Sequence, residues 1–236
     1  MLQKNDFIEL DFIGRVKGGE IFDTNIPEEA KKINLEIETK PLVICLGQNM
    51  ILPAIDEFLI GKEIGKYSLE LGPEKAFGLR NRELIKTMSI KVFLEKEIMP
   101  QPGMMFNFDN IIGKISAVSG GRVIVDFNHP LSNKTVIYEL NIKKKIEDKK
   151  EKIESLMLFF FQKKFDFKIS KSSDFDDAQK SKEGKKISDI EEKKILVKAE
   201  AKLKPLFDMF RPKFKEIFNL ELEIEEATEK AETKSN

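Results

Sequence analysis

Residues 41–78, PLVICLGQNMILPAIDEFLIGKEIGKYSLELGPEKAFG, set the tightest limit on what this chain can become. Leu42 to Leu46 reads as an apolar strand, and Gly47-Gln48-Asn49 breaks it. Ile51 to Leu59 reads as a short helix, with Pro53 tolerated in its first turn, where an N–H has no partner to lose. Ile51, Leu52, Ile55 and Leu59 are expected on one side of it. Gly61 to Gly65 turns the chain back, Tyr67 to Leu71 is a second strand, and a Gly-Pro loop ends in Ala76-Phe77-Gly78. Large apolar side chains outnumber charged ones about two to one here, and no histidine is among them. The stretch points to an apolar pocket.

The flanks extend this into a sheet. Phe7 to Val16 alternates along its length, a β pattern, and Lys17-Gly18-Gly19 supplies the positive φ of a hairpin turn before Glu20-Ile21-Phe22-Asp23. Thr24 to Lys40 is a polar connector with a turn or two of helix at Pro27-Glu28-Glu29-Ala30. Thr135 to Ile142 is a late strand. The fold class expected is α+β: an antiparallel half-barrel of four or five strands around one short helix.

Between Leu84 and Asp126 the texture changes. Ile111 to Val118 and Arg122 to Phe127 flank Ser119-Gly120-Gly121, a hairpin within a small β insertion. Four of the eight methionines fall here, Met88, Met99, Met104 and Met105, beside Phe93, Phe106 and Phe108. Flexible thioethers beside aromatics suit a surface that re-packs around many partners. They equally suit an ordinary small core filled by Met. Met88, Phe93, Met104, Met105 and Phe106 are the candidates for that surface.

After Lys143-Lys144-Lys145 a further segment begins. Ile153, Leu156, Met157 and Phe160 keep helical spacing, and Phe165, Phe167 and Ile169 alternate as a strand. Ser170 to Lys186 is a polar linker. Ile195, Ala199, Leu203, Phe207, Phe210, Phe214 and Phe218 follow a helix that Pro205 and Pro212 are expected to kink or divide. Leu220, Leu222 and Ile224 form a last strand, and 227–236 is a frayed tail. The order gives a small α/β domain whose Phe-rich stripe exceeds what so few residues bury well, so self-association is expected.

Composition narrows the function. Lys+Arg and Asp+Glu balance at 41 each, so no bulk charge draws the chain to nucleic acid or an anionic membrane. The single cysteine, Cys45, excludes an intrachain disulfide framework and fits a reducing compartment. The longest apolar run, Leu156 to Phe161, is far short of a membrane span, and the first ten residues lack the apolar core of a signal peptide. A cytoplasmic protein is expected, without nucleic-acid or membrane partners. The lone His129 and Cys45 offer no cluster of metal ligands, and His129 reads as a turn residue. No Gly-rich phosphate loop is present. No metal or cofactor is expected.

Several runs together resemble the FKBP-type peptidyl-prolyl isomerases: Asp11-Phe12-Ile13-Gly14, Gly19-Glu20-Ile21-Phe22-Asp23, Leu46-Gly47 with Ile51-Leu52-Pro53-Ala54-Ile55, Pro73-Glu74-Lys75-Ala76-Phe77-Gly78, and Val125-Asp126-Phe127-Asn128-His129-Pro130-Leu131. The resemblance covers about 5–145 and is nearest to the SlyD-like branch, in its long archaeal form with an extra C-terminal domain. It implies a discontinuous isomerase domain (1–83 and 127–146), an inserted flap domain with chaperone character (84–126), and a C-terminal domain (147–236) that dimerises. It also implies the pocket. Asp23 matches the wall aspartate beside Phe22; Leu42 matches a wall aromatic; Ile51, Leu52 and Ile55 match the floor, with Ile55 where a Trp is frequent. Phe12 and Phe77 stand where many members have Tyr, and Tyr138 where many have Phe. Taken alone, Asp23 reads as a turn residue at Thr24-Asn25, and Phe12, Phe22, Ile55 and Phe77 read as core.

Two functions follow from the resemblance. The first is an isomerase and folding chaperone acting on X-Pro bonds of unfolded or partly folded chains, with Asp23, Phe77, Phe12 and Tyr138 as its catalytic set. The second is a holdase or assembly scaffold whose pocket no longer turns over, motivated by the lost Tyr hydroxyls and the missing Trp.

Overall fold

A computed structural model describes residues 1–35, 42–171 and 192–226. Two compact units divide the chain, 1–146 and 147–236.

The first unit is built on one long strand. β1 (Phe7–Val16) pairs along its full length with β9 (Val136–Ile146). Its other edge is shared by two short strands: β3 (Leu42–Cys45) on Phe7–Leu10 and β2 (Ile21–Thr24) on Ile13–Arg15. β4 (Gly65–Leu71) closes the far side of β9, giving a five-stranded antiparallel sheet. Alternation fixes which face is dry: Leu10, Val136, Tyr138, Leu140 and Ile142 are buried, and Glu139 between them is exposed. Helix α1 (Pro27–Lys32) follows β2 and buries Ala30. The polar connector expected after it continues into 36–41, outside the described residues.

Helix α2 (Pro53–Leu59) starts two residues later than its pattern suggests. The residue before a proline is driven out of the helical region, and Leu52 is extended at φ −52°, ψ 130°. Ile51 and Leu52 therefore sit ahead of the helix, half-buried, while Ile55 and Leu59 are buried within it. Asp56, 3% exposed, accepts the N–H groups of Gly47 (2.8 Å) and Asn49 (3.1 Å), so the loop that delivers Ile51 and Leu52 is tied to the helix.

The insertion forms its own four-stranded antiparallel sheet, β5 (Ile85–Ser89), β8 (Arg122–Asp126), β7 (Ile111–Ser119) and β6 (Met105–Phe108), in that spatial order. Helix α3 (Lys91–Leu94) lies between β5 and β6 in the chain. Phe93, Ile115, Val123 and Val125 form its core, with Met88, Phe106, Phe108 and Phe127 packed against it.

The second unit runs α4 (Lys149–Phe161), β10 (Phe167–Lys171), β11 (Glu192–Ala199), α5 (Lys204–Phe218) and β12 (Glu221–Glu226). β11 is central, antiparallel to β10 and parallel to β12, with α5 as the crossover. The helix expected from Ile195 onward begins only at Lys204. Ile195, Val197 and Ala199 are buried on alternate positions of a strand, so a spacing of four satisfied both periods. Pro205 sits in the first turn of α5 and Pro212 inside it, within one helix and not two. The linker beyond residue 171 and the tail from 227 lie outside the described residues. No helix among the described residues is long and apolar enough to cross a membrane.

Candidate active site

Three strands meet at Gly14. On β1 it faces Asp23 of β2 on one side and Tyr138 of β9 on the other. A Cβ on Gly14 would fall 2.9 Å from Phe22 Cζ and 3.0 Å from Tyr138 Cε1. The missing side chain is therefore the space into which these two rings lean. Their centroids are 5.8 Å apart at 86°, and Phe12 adds a third ring 6.4 Å from Tyr138. Because Gly14 does not need positive φ, Gly14→Ala should fold. The tilted rings should cost about tenfold in kcat/KM on an X-Pro peptide, since small misplacements at a shaped site are expensive. Parallel thermal melts and peptide kinetics check this; an unchanged rate would show that the rings are not part of the site.

Phe77 completes the wall from a loop. Residues Pro73–Lys75 make one 3-10 turn, and Gly78, at φ +79°, sends its N–H back to Pro73 O at 2.7 Å. Only a residue at ease with positive φ reverses the chain there. The turn sets the Phe77 ring edge-on to Phe22, 5.6 Å between centroids at 85°.

The polar groups are few. Asp23 lies at the edge of the rings and is partly open to solvent. Burial of its inner side pushes its carboxyl above the ordinary value of 3.8, partly offset by the Thr24 N–H. Burial and the nearby Asp23 charge push the Tyr138 hydroxyl up to about 12, so it remains a neutral donor through the physiological range. The next residues hold β2 in place: Thr24 Oγ1 donates to Phe12 O at 2.7 Å, and Asn25 accepts the Phe12 N–H at 2.7 Å and donates to Leu10 O at 2.8 Å.

The structure thus brings Phe12, Phe22, Asp23, Phe77 and Tyr138 into one neighbourhood. Leu42 is half-buried on β3 opposite Leu10. Ile51 and Leu52 lead into α2, and Ile55 is 4% exposed inside it. In the insertion the candidates divide. Met104 and Met105 are exposed (39% and 60%), Met88 and Phe106 are half-buried against the core, and Phe93 is 3% exposed. Phe93 is therefore a core residue, not a surface one: its ring meets Phe106 at 6.1 Å and Phe108 at 6.0 Å. Met99, Ile111 and Ile112, none among the surface candidates, are 59–69% exposed.

Sequence reasoning passed over His129. The imidazole stacks on Phe77 with centroids 4.7 Å apart and planes 1° from parallel. Its loop is anchored on both sides. Asn128 exchanges two hydrogen bonds with the Asn81 backbone (2.7 and 2.9 Å), and Asn133 N–H reaches Gly78 O at 2.9 Å. Asp126 is paired with Arg80 at 2.5 Å. Burial raises the Asp126 carboxyl, but hydrogen bonds from the Asn128 side chain and backbone and the Arg80 guanidinium outweigh it and bring the carboxyl below the usual range. Nothing in a turn-like Asn-His-Pro signals a stack with a residue fifty positions earlier.

Residues 86–131 match the family model described as "FKBP26, IF domain". A "Short-type peptidyl-prolyl cis-trans isomerase" of Methanocaldococcus jannaschii is 31% identical over 147 residues, 61% of this chain and 93% of that protein. An "FKBP-type 16 kDa peptidyl-prolyl cis-trans isomerase" of Escherichia coli is 29% identical over 109 residues, 44% of this chain and 72% of that protein. A Vibrio cholerae "FKBP-type peptidyl-prolyl cis-trans isomerase SlyD" is 29% identical over 107 residues, 43% of this chain and 53% of that protein. The chain belongs to the FKBP-type peptidyl-prolyl cis–trans isomerase family. Within it, the inserted sheet and these relatives make it SlyD-like.

Proposed function

We propose that the pocket walled by Phe22, Phe77 and Tyr138 rotates X-Pro bonds in non-native chains, and that the insertion holds those chains nearby. The observation that supports it is the set of rings over Gly14 with one carboxylate, Asp23, at its edge. Rotation about a peptide bond faces a barrier of roughly 18–20 kcal/mol because amide resonance is lost. No bond is made or cut, so neither nucleophile nor cofactor is called for. The twisted amide is less charge-separated than the planar one, and a dry apolar wall favours it over the ground state. Asp23 accepts or organises a hydrogen bond at the rim, and Phe12, Leu42, Ile51, Leu52 and Ile55 complete the apolar surround.

The test is prolyl cis–trans exchange in a short X-Pro peptide, measured by exchange NMR with and without the protein. Acceleration is expected. Its absence with folded protein, alongside suppression of aggregation, would favour the holdase reading, for which the missing hydroxyl at Phe77 is the motive.

The same assay carries a pH prediction. If ionised Asp23 is the working form, activity falls on acidification through a point above 3.8, since burial raises this carboxyl. Asp23→Asn should be slower and lack that limb. No alkaline loss from Tyr138 is expected until near pH 12. A limb that persists unchanged in Asp23→Asn would assign it to another group.

For the second unit we propose self-association through α5. Leu206 and Met209 are exposed on it (37% and 77%), beside a Phe160–Phe210 ring pair 4.5 Å apart. Sedimentation of wild type against Met209→Lys would test it: a dimer that the charge dissociates is expected, and a monomeric wild type would overturn it. The buried thiol of Cys45 suits a reducing cytoplasm.

A further inference from the structure

We propose that Met99, Met104 and Met105 are an oxidation site: a peroxide converts their thioethers to sulfoxides and the insertion releases the chains it holds, while the prolyl pocket keeps working. This rests on the reading above that the insertion holds non-native chains. The sulfur atoms of the first unit divide by exposure. Cys45 and Met50 are buried, and Met50 Sδ accepts the Cys45 N–H at 3.1 Å. Shielded sulfur of this kind is inert. The pocket walls named above carry no sulfur at all. In the insertion, Met88 is half-buried against the core, whereas Met99, Met104 and Met105 are exposed. The buried core beneath them, Phe93, Ile115, Val123 and Val125, contains no sulfur either. Elsewhere only Met1 and Met209 are exposed, and Met157 is buried. An oxidant therefore meets the holding surface and passes over the pocket.

The step balances with the peroxide alone. The sulfur lone pair attacks one peroxide oxygen and the O–O bond breaks. Sulfur loses two electrons, and the second oxygen leaves as water, or as an alcohol from an organic peroxide. The apolar thioether becomes a dipolar S=O that accepts hydrogen bonds. Seated against an apolar client, that oxygen has no donor to meet, and the contact is lost. The sheet itself is spared. Met105 lies on the open side of β6 opposite Lys114, while Phe106 and Phe108 turn inward to the core. Gly103 N–H reaches Ile115 O and Ile115 N–H reaches Met104 O, at 2.8 Å each, so the backbone is held by bonds that a side-chain sulfoxide does not touch.

The experiment treats the whole protein with hydrogen peroxide. Peptide mass spectrometry should find one added oxygen on each of Met99, Met104 and Met105, with Met50 and Met157 unmodified. Suppression of client aggregation should fall about tenfold, exchange in a short X-Pro peptide should be unchanged, and the thermal melt should stay in place. Methionine sulfoxide reductases of both epimer specificities should restore holding. A second protein carries Met99→Leu, Met104→Leu and Met105→Leu, which keep apolar bulk without sulfur. Whatever level of holding it starts from, that level should be the same before and after peroxide. Met209 stays in place in this variant, so its oxidation is common to both proteins. Sulfoxides on all three residues with holding unchanged, peroxide sensitivity that persists in the Leu variant, or loss of holding through unfolding would each overturn the inference. An untreated wild type that suppresses no aggregation would instead remove the reading beneath it.

Discussion

Replacing residues 87–124 by Asn-Gly should lower the acceleration of a proline-limited protein refolding reaction about a hundredfold, while exchange in a short X-Pro peptide stays nearly unchanged. The graft is geometrically fair. Phe127 N–H reaches Leu84 O at 2.9 Å, so the next hydrogen-bonded pair of the ladder is Lys86 with Val125, directly opposite each other, and that is the pair a two-residue turn closes on. Asn-Gly is the turn that such a pair accepts. The Arg80–Asp126 pair and the Asn128–Asn81 bonds are kept. Phe127, which packs against the insertion, is exchanged for Ser in the same variant so that no large ring is uncovered.

The size of the effect comes from tethering. A long unfolded chain held by one surface visits a neighbouring pocket at millimolar effective concentration, and a tetrapeptide too short to span both gains nothing. The insertion has the surface for this. Its own sheet buries Phe93, Ile115, Val123 and Val125, yet leaves Met99, Met105, Ile111 and Ile112 at least 59% exposed. Equal losses on the protein and the peptide would mean that the insertion shapes the pocket and does not hold clients.

How much of this could be read beforehand depends on whether a signal is local. Period-two alternation in 7–16 and the Gly120-Gly121 turn placed β1 and the β7–β8 hairpin, because strand faces and turn dihedrals are written in neighbouring residues. The exchange of strand for helix at Ile195 and Ala199 came from a spacing that both periods share. The β-branched Ile195 and Val197, and Pro205 in the first helical turn, were the discriminating signs. Phe93 was misread as surface because α3 is only four residues long, too short to show a period. In the site, Phe22, Asp23 and Tyr138 were legible only as a joint motif. What joins them is register: Gly14 stands between Asp23 and Tyr138 across three strands, and no single stretch of sequence states that. The Phe77–His129 stack is tertiary in the same sense.

The double variant Asp23→Ala with Phe77→Ala should lose about a hundredfold or more in kcat/KM on a short X-Pro peptide. Phe77 is the plate between two rings, edge-on to Phe22 and face-on to His129. Its removal takes away one large apolar contact with the prolyl group, worth roughly 1.5–3 kcal/mol if fully made. A hydrogen bond at Asp23 adds about 1 kcal/mol. Together these correspond to a factor between about a hundred and a thousand, and since both groups serve one bound peptide the losses should overlap, not add in full. Neither side chain belongs to the buried core: Asp23 is exposed and Phe77 half-buried on a loop whose turn is held by Gly78 and Pro73. The fold should therefore survive, and so should suppression of aggregation, the activity proposed above for the insertion. That separation is what the variant measures. Collapse of catalysis with holding intact assigns rotation to the rings over Gly14 and holding to the insertion. Catalysis that persists would place the chemistry elsewhere, and joint loss of both activities would make pocket and insertion one surface.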